Sequence, residues 1–281
     1  MIADLDGRTF LVTGANTGIG RATAEAIAGR GAEVFLAGRS EARTQPVIDE
    51  MAARTGNDRL RFLALDLGDL SSVRACAEGF LATGRPLHAL INNAGLAGQR
   101  GLTASGFELA FGTNHIGPFL LTRLLLDRLR ASAPARIVTV SSEAHYRASG
   151  IDWEAVRTPT ANRTGWPEYG VSKLANVLHA QELGRRLAGS GVTTYALHPG
   201  MIASDVWRRV PWPIRPLIKL RMSSVETGAR TPVYCATSPD VAGDSGLYYE
   251  DCRPKPAAAA ATPELAAELW TRSDAWVGGS G

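Results

Sequence analysis

The sequence predicts an α/β fold: a doubly wound sheet of about seven parallel strands with helices on both faces. Three observations carry this. Short apolar runs alternate with longer helical patterns, the arrangement that crossovers between parallel strands require. A glycine-rich turn separates the first apolar run from the first helical pattern. No linker of disordered composition interrupts the 281 residues, a length that suits one domain spanning 1–281.

Thr9 to Val12 is a short continuous apolar run and reads as the first buried strand, followed after the glycine turn by a helix at Ile19 to Arg30. Glu33 to Ala37 is the second strand and Arg43 to Arg54 the next helix. Leu60 to Leu65 and Ser71 to Ala82 form the third such pair. Ala89 to Ile91 is the fourth strand, Phe107 to Arg130 reads as one long helix, and Ile137 to Val140 is the fifth strand. A further long helix spans Tyr169 to Leu187 and leads to the sixth strand at Thr193 to Leu197. Val225 to Ala236 is helical, Gly246 to Tyr249 is a short last strand, and a terminal helix covers Pro263 to Val277. The tract Lys255 to Thr262, with Pro256 and five alanines, reads as a surface connection.

Composition narrows the function. The chain is 45% hydrophobic and 20% charged with formal charge +3, and its densest basic runs are only Arg185/Arg186 and Arg208/Arg209, so no nucleic-acid partner is expected. Cys76, Cys235 and Cys252 lie far apart without a Cys-x-x-Cys and read as reduced thiols. The five histidines have no ligand spacing, so no metal is expected. The start Met-Ile-Ala-Asp-Leu-Asp-Gly runs straight into a strand, and no apolar stretch approaches the ~18 residues that span a bilayer. The expectation is a cytoplasmic protein with no transmembrane segment.

Thr13-Gly14-Ala15-Asn16-Thr17-Gly18-Ile19-Gly20 stands between the first strand and its helix. Glycines there let a pyrophosphate approach the backbone, and the helix start offers oriented N–H groups. The spacing is Gly-x-x-x-Gly-x-Gly rather than Gly-x-Gly-x-x-Gly. The second strand ends in Ala37-Gly38-Arg39-Ser40 with no carboxylate, which prefers NADP over NAD: Arg39 clamps a 2′-phosphate and Ser40 assists. Further on, Tyr169 and Lys173, four apart on a helix, put a phenol and an ammonium on one face. A cation close to the phenol pulls its pKa toward working pH, where proton transfer is efficient. Alone, the pair equally fits a solvated helix face.

These features, with Asn92-Asn93-Ala94-Gly95, Asn114, Val140-Ser141-Ser142 and His198-Pro199-Gly200 in order, resemble the short-chain dehydrogenase/reductase family, whose fold is Rossmann-like. The wording from Asn114 to Thr122 and from Tyr169 to Asn176 is most similar to the retinol dehydrogenase and carbonyl reductase branch, with Pro118 where that branch carries histidine. The resemblance implies an NADP(H)-dependent oxidoreductase acting on CH–OH and C=O groups. It makes Tyr169 the proton donor or base, Lys173 the group that lowers its pKa and holds the nicotinamide ribose, and Ser142 the donor to the substrate oxygen. Ser141 becomes a structural strand end. Asn114 holds a relay water behind Lys173, or is a helix amide satisfied locally. Gly14, Asn16, Thr17, Gly18, Ile19 and Gly20 cradle the pyrophosphate. Asp66 and Leu67 bracket adenine, although Asp66 equally fits a helix cap. Asn92, Ala94 and Gly95 lie beside the adenosine half, the asparagine bracing the central strand. Pro199, Gly200 and Ser204 meet the nicotinamide end.

Two segments remain for the substrate: the loop 143–168, with Trp153, Trp166 and Pro167, and a lid at about 201–224. Residues 205–222 mix Trp207 and Trp212 with five basic residues and fit a lid over an apolar ligand, ordinary helical packing or membrane-surface docking. The expected substrate is a bulky hydrophobic carbonyl or alcohol. A similar insertion obstructs tetramers of carbonyl-reductase-like relatives, which implies a monomer or homodimer. The alternative function is an NADPH-binding sensor or interaction protein without turnover. A sugar-nucleotide epimerase would carry a second glycine where Thr17 stands.

Overall fold

The computed structural model describes residues 4–200 and 224–278. Eight strands, β1 (Thr9–Thr13), β2 (Glu33–Gly38), β3 (Leu60–Ala64), β4 (Ala89–Asn92), β5 (Ala135–Val140), β6 (Val192–His198), β7 (Leu247–Glu250) and β8 (Arg253–Lys255), form one sheet in the order β3-β2-β1-β4-β5-β6-β7-β8. The first seven are parallel. Strand order reverses between β1 and β4, so the crevice beyond their carboxyl ends is where a doubly wound sheet takes a ligand. The helices are α1 (Gly18–Ala28), α2 (Glu41–Thr55), α3 (Leu70–Ala82), α4 (Leu109–Phe111), α5 (Gly117–Ala131), α6 (Trp166–Arg186), α7 (Val225–Thr237) and α8 (Pro263–Trp276).

Strand alternation divides the core. Leu11, Phe35, Leu90 and Ile137 enter one apolar cluster with residues of α3, α5, α6 and α8, while their chain neighbours Val12, Leu36, Ile91 and Val138 enter a second with α1, α2 and α7. Burial on both faces is why these strands are short continuous apolar runs. Among the described residues no helix is long and apolar enough to cross a membrane.

Four expectations are corrected. The sheet has an eighth, antiparallel strand: Asp251 and Cys252, with φ of 52° and 59°, turn the chain so that β8 pairs back on β7. The connection after it is not all surface, because Ala258 is buried in the core. The helix expected over Phe107 to Arg130 is interrupted by a π-helical turn at Gly112–Ile116 between α4 and α5. Finally, α6 starts at Trp166, with Pro167 in its first turn, so Tyr169 lies just inside the helix rather than at its start. The expected lid over 201–224, including Ser204, Trp207 and Trp212, lies outside the described residues except for Ser224, whose hydroxyl caps α7.

Candidate active site

Beyond β5 the chain presents two serines with opposite fates. Ser141 is buried and its hydroxyl donates to Lys173 O at 2.7 Å, joining the strand end to α6. The Ser142 hydroxyl accepts from Ala144 N at 3.2 Å and sits near enough to the half-buried Tyr169 phenol to favour its ionised form. One turn along α6, Lys173 is only 4% exposed; its Nζ donates to Val140 O at 2.8 Å and lies 5.6 Å from the centroid of the Tyr169 ring. Burial pushes Lys173 down to about 7 and pushes the Tyr169 phenol above its ordinary value. What opposes the rise in Tyr169 is the neighbouring Ser142 hydroxyl, so the depression expected from Lys173 is not the effect at work here.

Asn114 reaches the site because of the π-helical turn. A side chain on Gly112 would put its Cβ 2.5 Å from Thr103 Cγ2, and one on Gly117 would put it 2.3 Å from Leu67 O, so two glycines let the wide turn pack closely. The Gly117 amide bonds to Gly112 O, five residues back. The Asn114 amide is fully engaged: Oδ1 accepts from Leu96 N, and Nδ2 donates to Leu96 O and Ser172 Oγ, each at 2.9 Å. Pro118 has no N–H, so it cannot give the Asn114 carbonyl its ordinary helical donor.

The glycine turn fits a pyrophosphate. Gly14 has a φ of +66°, and a Cβ there would come within 2.9 Å of Ala94 Cβ; Gly18, at +55°, opens onto space with nothing within 4 Å. Thr17 makes no side-chain cap bond at the start of α1 and no acidic residue lies in its first turn, which leaves the helix dipole without an internal anion. Asn16 and Ile19 complete this turn. At Gly95 a Cβ would lie 3.1 Å from Asn114 Oδ1 and 3.4 Å from Lys173 Nζ, so a side chain there would crowd the Asn114 amide and touch the lysine. Arg39 is exposed at the tip of β2, and the Ser40 hydroxyl makes no cap bond to α2.

Other expected positions fall differently. Asp69, not Asp66, caps α3; Asp66 instead accepts from Gly68 N. The Leu67 side chain, 5% exposed, is in the core, so any part it plays in nucleotide binding belongs to its backbone. Asn92 points to α5 and donates to Thr122 Oγ1 at 3.1 Å. The brace to the central strand comes from Asn93, whose Nδ2 donates to Thr13 O at 2.9 Å, while Thr13 Oγ1 accepts from Asn93 N and Ala94 N, both at 3.0 Å. A Cβ on Gly20 would sit 2.3 Å from that amide nitrogen. Asn93 and Thr13 are the residues sequence reasoning missed; alternation along β4, which sends neighbouring side chains to opposite faces, was the available signal. Pro199 and Gly200 follow β6, with Gly200 at φ +89°.

Strand ends also gather Glu143, His198 and Glu250, with ligand-type atoms within 4.8 Å of one another. Lys255 Nζ is already 2.6 Å from Glu250 Oε2, so the group is an ion-pair cluster. Beside the site a cleft of about 640 Å³ is lined by Ala144, by residues 147–152 and by Trp166, Pro167, Gly170 and Val171 of α6. Trp166, 38% exposed, meets the Tyr169 ring edge-to-face at 5.4 Å.

Residues 8–212 match the family profile described as short chain dehydrogenase. The chain belongs to the short-chain dehydrogenase family. It is therefore an oxidoreductase of the class that acts on alcohols and carbonyls with a nicotinamide cofactor. Over 282 residues it is 45% identical to dehydrogenase/reductase SDR family member 13 of Bos taurus, covering 97% of this chain and 74% of that one. Over 256 residues it is 43% identical to retinol dehydrogenase 12 of Homo sapiens, covering 89% and 79%. A crystal structure of an uncharacterized protein from Mycobacterium paratuberculosis superposes with a TM-score of 0.78 at 33% identity, covering 99% and 97% of the two chains. Another, from Beutenbergia cavernae, described as an NAD(P)-dependent gluconate 5-dehydrogenase with NADP bound at low occupancy, gives 0.72 at 27% identity, covering 89% and 97%.

Proposed function

We propose that this short-chain dehydrogenase uses NADP(H) to interconvert a carbonyl and an alcohol on a bulky hydrophobic substrate. The observation that carries the reading is the meeting of the Ser142 hydroxyl, the Tyr169 phenol and the buried Lys173, whose Nζ lies 5.6 Å from the Tyr169 ring centroid, beyond the end of β5. Tyr169 gives its proton to the carbonyl oxygen in reduction and takes it back in oxidation. Ser142 donates to the same oxygen as charge develops on it. Lys173 holds the ribose and resupplies Tyr169. Because the Asn114 side-chain amide is spent on Leu96 and Ser172, its share in a proton relay falls to its backbone carbonyl oxygen.

When bound, NADP(H) supplies or accepts the hydride. Gly14, Asn16, Thr17, Gly18, Ile19 and Gly20 hold its pyrophosphate, with the α1 dipole in support. Arg39 and Ser40 take the 2′-phosphate. Asp66, the Leu67 backbone, Ala94 and Gly95 flank the adenosine half, and Pro199, Gly200 and Ser204 the nicotinamide end. The largely apolar walls of the cleft, with Trp166 against the Tyr169 ring, support a bulky hydrophobic substrate. Helix α8 packs on α6, with Trp270 edge-to-face on Phe119 at 5.0 Å and beside His179, and this intramolecular cover supports a monomer, or a homodimer formed through another face.

Replacing Tyr169 with Phe removes the proton but not the cofactor cradle. Turnover of retinaldehyde, a steroid ketone or an aromatic polyketide ketone should fall ~100-fold or more, while NADPH still raises the melting temperature. A variant that keeps its turnover refutes the assignment of Tyr169. A wild type that reduces only small polar ketones refutes the substrate class, and one that binds NADPH but reduces nothing favours the sensor.

A further inference from the structure

His145, three residues past Ser142, is fully buried, yet it contacts neither the Tyr169 hydroxyl nor Lys173 Nζ through any hydrogen bond. Its ring is held on both edges. Nδ1 lies 2.7 Å from Ser142 O and Nε2 lies 3.2 Å from Ala258 N. A carbonyl oxygen only accepts and a backbone N–H only donates, so Nδ1 must carry the proton and Nε2 a lone pair. One neutral tautomer satisfies both bonds; an imidazolium would turn an N–H against the Ala258 N–H. The faces are held too, with Tyr146 at 3.9 Å and Tyr248 at 4.6 Å between ring centroids.

We propose that His145 is a positioning residue for Ser142, a single-tautomer imidazole that ties the serine's backbone to the segment beyond β8. The proposal rests on the reading of Ser142 as the donor to the substrate oxygen. The Ser142 carbonyl receives two bonds from this one residue, from Nδ1–H and from the His145 backbone N–H at 3.1 Å. With that peptide fixed, Ala144 N meets Ser142 Oγ, and the hydroxyl is left turned to Tyr169. The anchor on the far side is itself braced, since Tyr146 donates to Pro256 O at 2.7 Å and Ala258 O accepts from Ala261 N at 2.8 Å.

The charged and titratable groups facing the ring are His198 at the end of β6, Glu143 beside Ser142 and Glu250 at the end of β7. Burial outweighs the bond to the Ser142 carbonyl and the two carboxylates and holds the imidazole below its ordinary value of 6.5, so it is neutral through physiological pH. Protonation at lower pH abolishes the Ala258 bond and loosens Ser142.

The test compares His145→Phe, which keeps the ring stack but neither polar bond, with His145→Asn, whose amide replaces the Nδ1–H donor. In the full chain, kcat for the fastest-reduced carbonyl should fall ~10- to 100-fold in H145F with the dissociation constant for NADPH unchanged, and H145N should recover most of it. The wild-type kcat should decline on the acid side of pH 6.5, and H145N should lack that limb. Nitrogen-15 NMR of the wild-type histidines provides a readout that needs neither a substrate nor a folded variant: His145 should be neutral with the proton on Nδ1 at pH 7.5. Full kcat in H145F, a proton on Nε2, or an imidazolium at that pH overturns the proposal. Turnover that survives in Y169F sinks the reading of the site instead, so the two failures are distinguishable.

Discussion

Burial acts in opposite directions on the two titratable groups at the centre of the site, raising Tyr169 and lowering Lys173 to about 7, and both shifts favour the neutral form. A lysine near 7 gives and takes protons at ordinary pH, which suits the resupply role in the proposed mechanism. Arg39 is governed by the opposite physics. It is exposed at the end of β2 and has no ion-pair partner among the described residues, so its guanidinium is available to a phosphate. Arg39→Ala should weaken NADPH binding by ~10- to 100-fold, the worth of a charge-assisted hydrogen-bonded contact, and leave NADH binding nearly unchanged. Melting shifts with the two cofactors check this, and equal shifts in the wild type would refute the role given to Arg39.

At the scale of elements, the parallel strands are legible in the sequence because the central five, β1, β2, β4, β5 and β6, are short apolar runs buried on both faces, while β3 and β7 toward the sheet's edges keep a shorter apolar stretch between turn signals, a signal that needs no distant partner. Strand β8 is not legible: Arg253-Pro254-Lys255 is exposed, charged and carries a proline, as an edge strand tolerates. The π-helical turn is equally silent, since the close packing its glycines allow, Gly112 against Thr103 and Gly117 against the Leu67 backbone, is tertiary. The site divides in the same way. Motifs locate Ser142, Tyr169, Lys173 and Asn114, but which asparagine of the Asn92-Asn93 pair braces β1 depends on strand facing, and the grip of His145 on Ser142 depends on where residue 258 arrives. Gly117→Ala tests the turn. Its Cβ would collide with the Leu67 carbonyl oxygen, an immobile backbone atom, so the variant should lose ~1–3 kcal/mol. A melting temperature lower by roughly 2 to 10 °C is expected, with weaker cofactor binding if Leu67 is displaced. Wild-type stability would mean that the turn widens without cost.

Across the whole molecule, α8 closes the apolar layer over α5 and α6, and it does so over two histidines. His115 Nε2 bonds Ser273 Oγ of α8 at 3.0 Å, whereas His115 Nδ1 and His179 Nε2 are buried without partners. Burial holds His115 well below 6.5 and His179 at about 4. In the unfolded chain both titrate near 6.5, so between that value and about 4 the unfolded state binds more protons than the folded one. The stability these two histidines contribute is therefore complete above pH 6.5 and is lost as the pH falls toward 4, with His179 alone accounting for ~3 kcal/mol. Urea denaturation across this range should give a positive slope of unfolding free energy against pH. His179→Phe, which keeps an aromatic ring against Phe119 and Trp270, should remove up to one proton from that slope. A variant with the wild-type slope would mean that His179 is protonated in the folded protein and that the layer beneath α8 admits water.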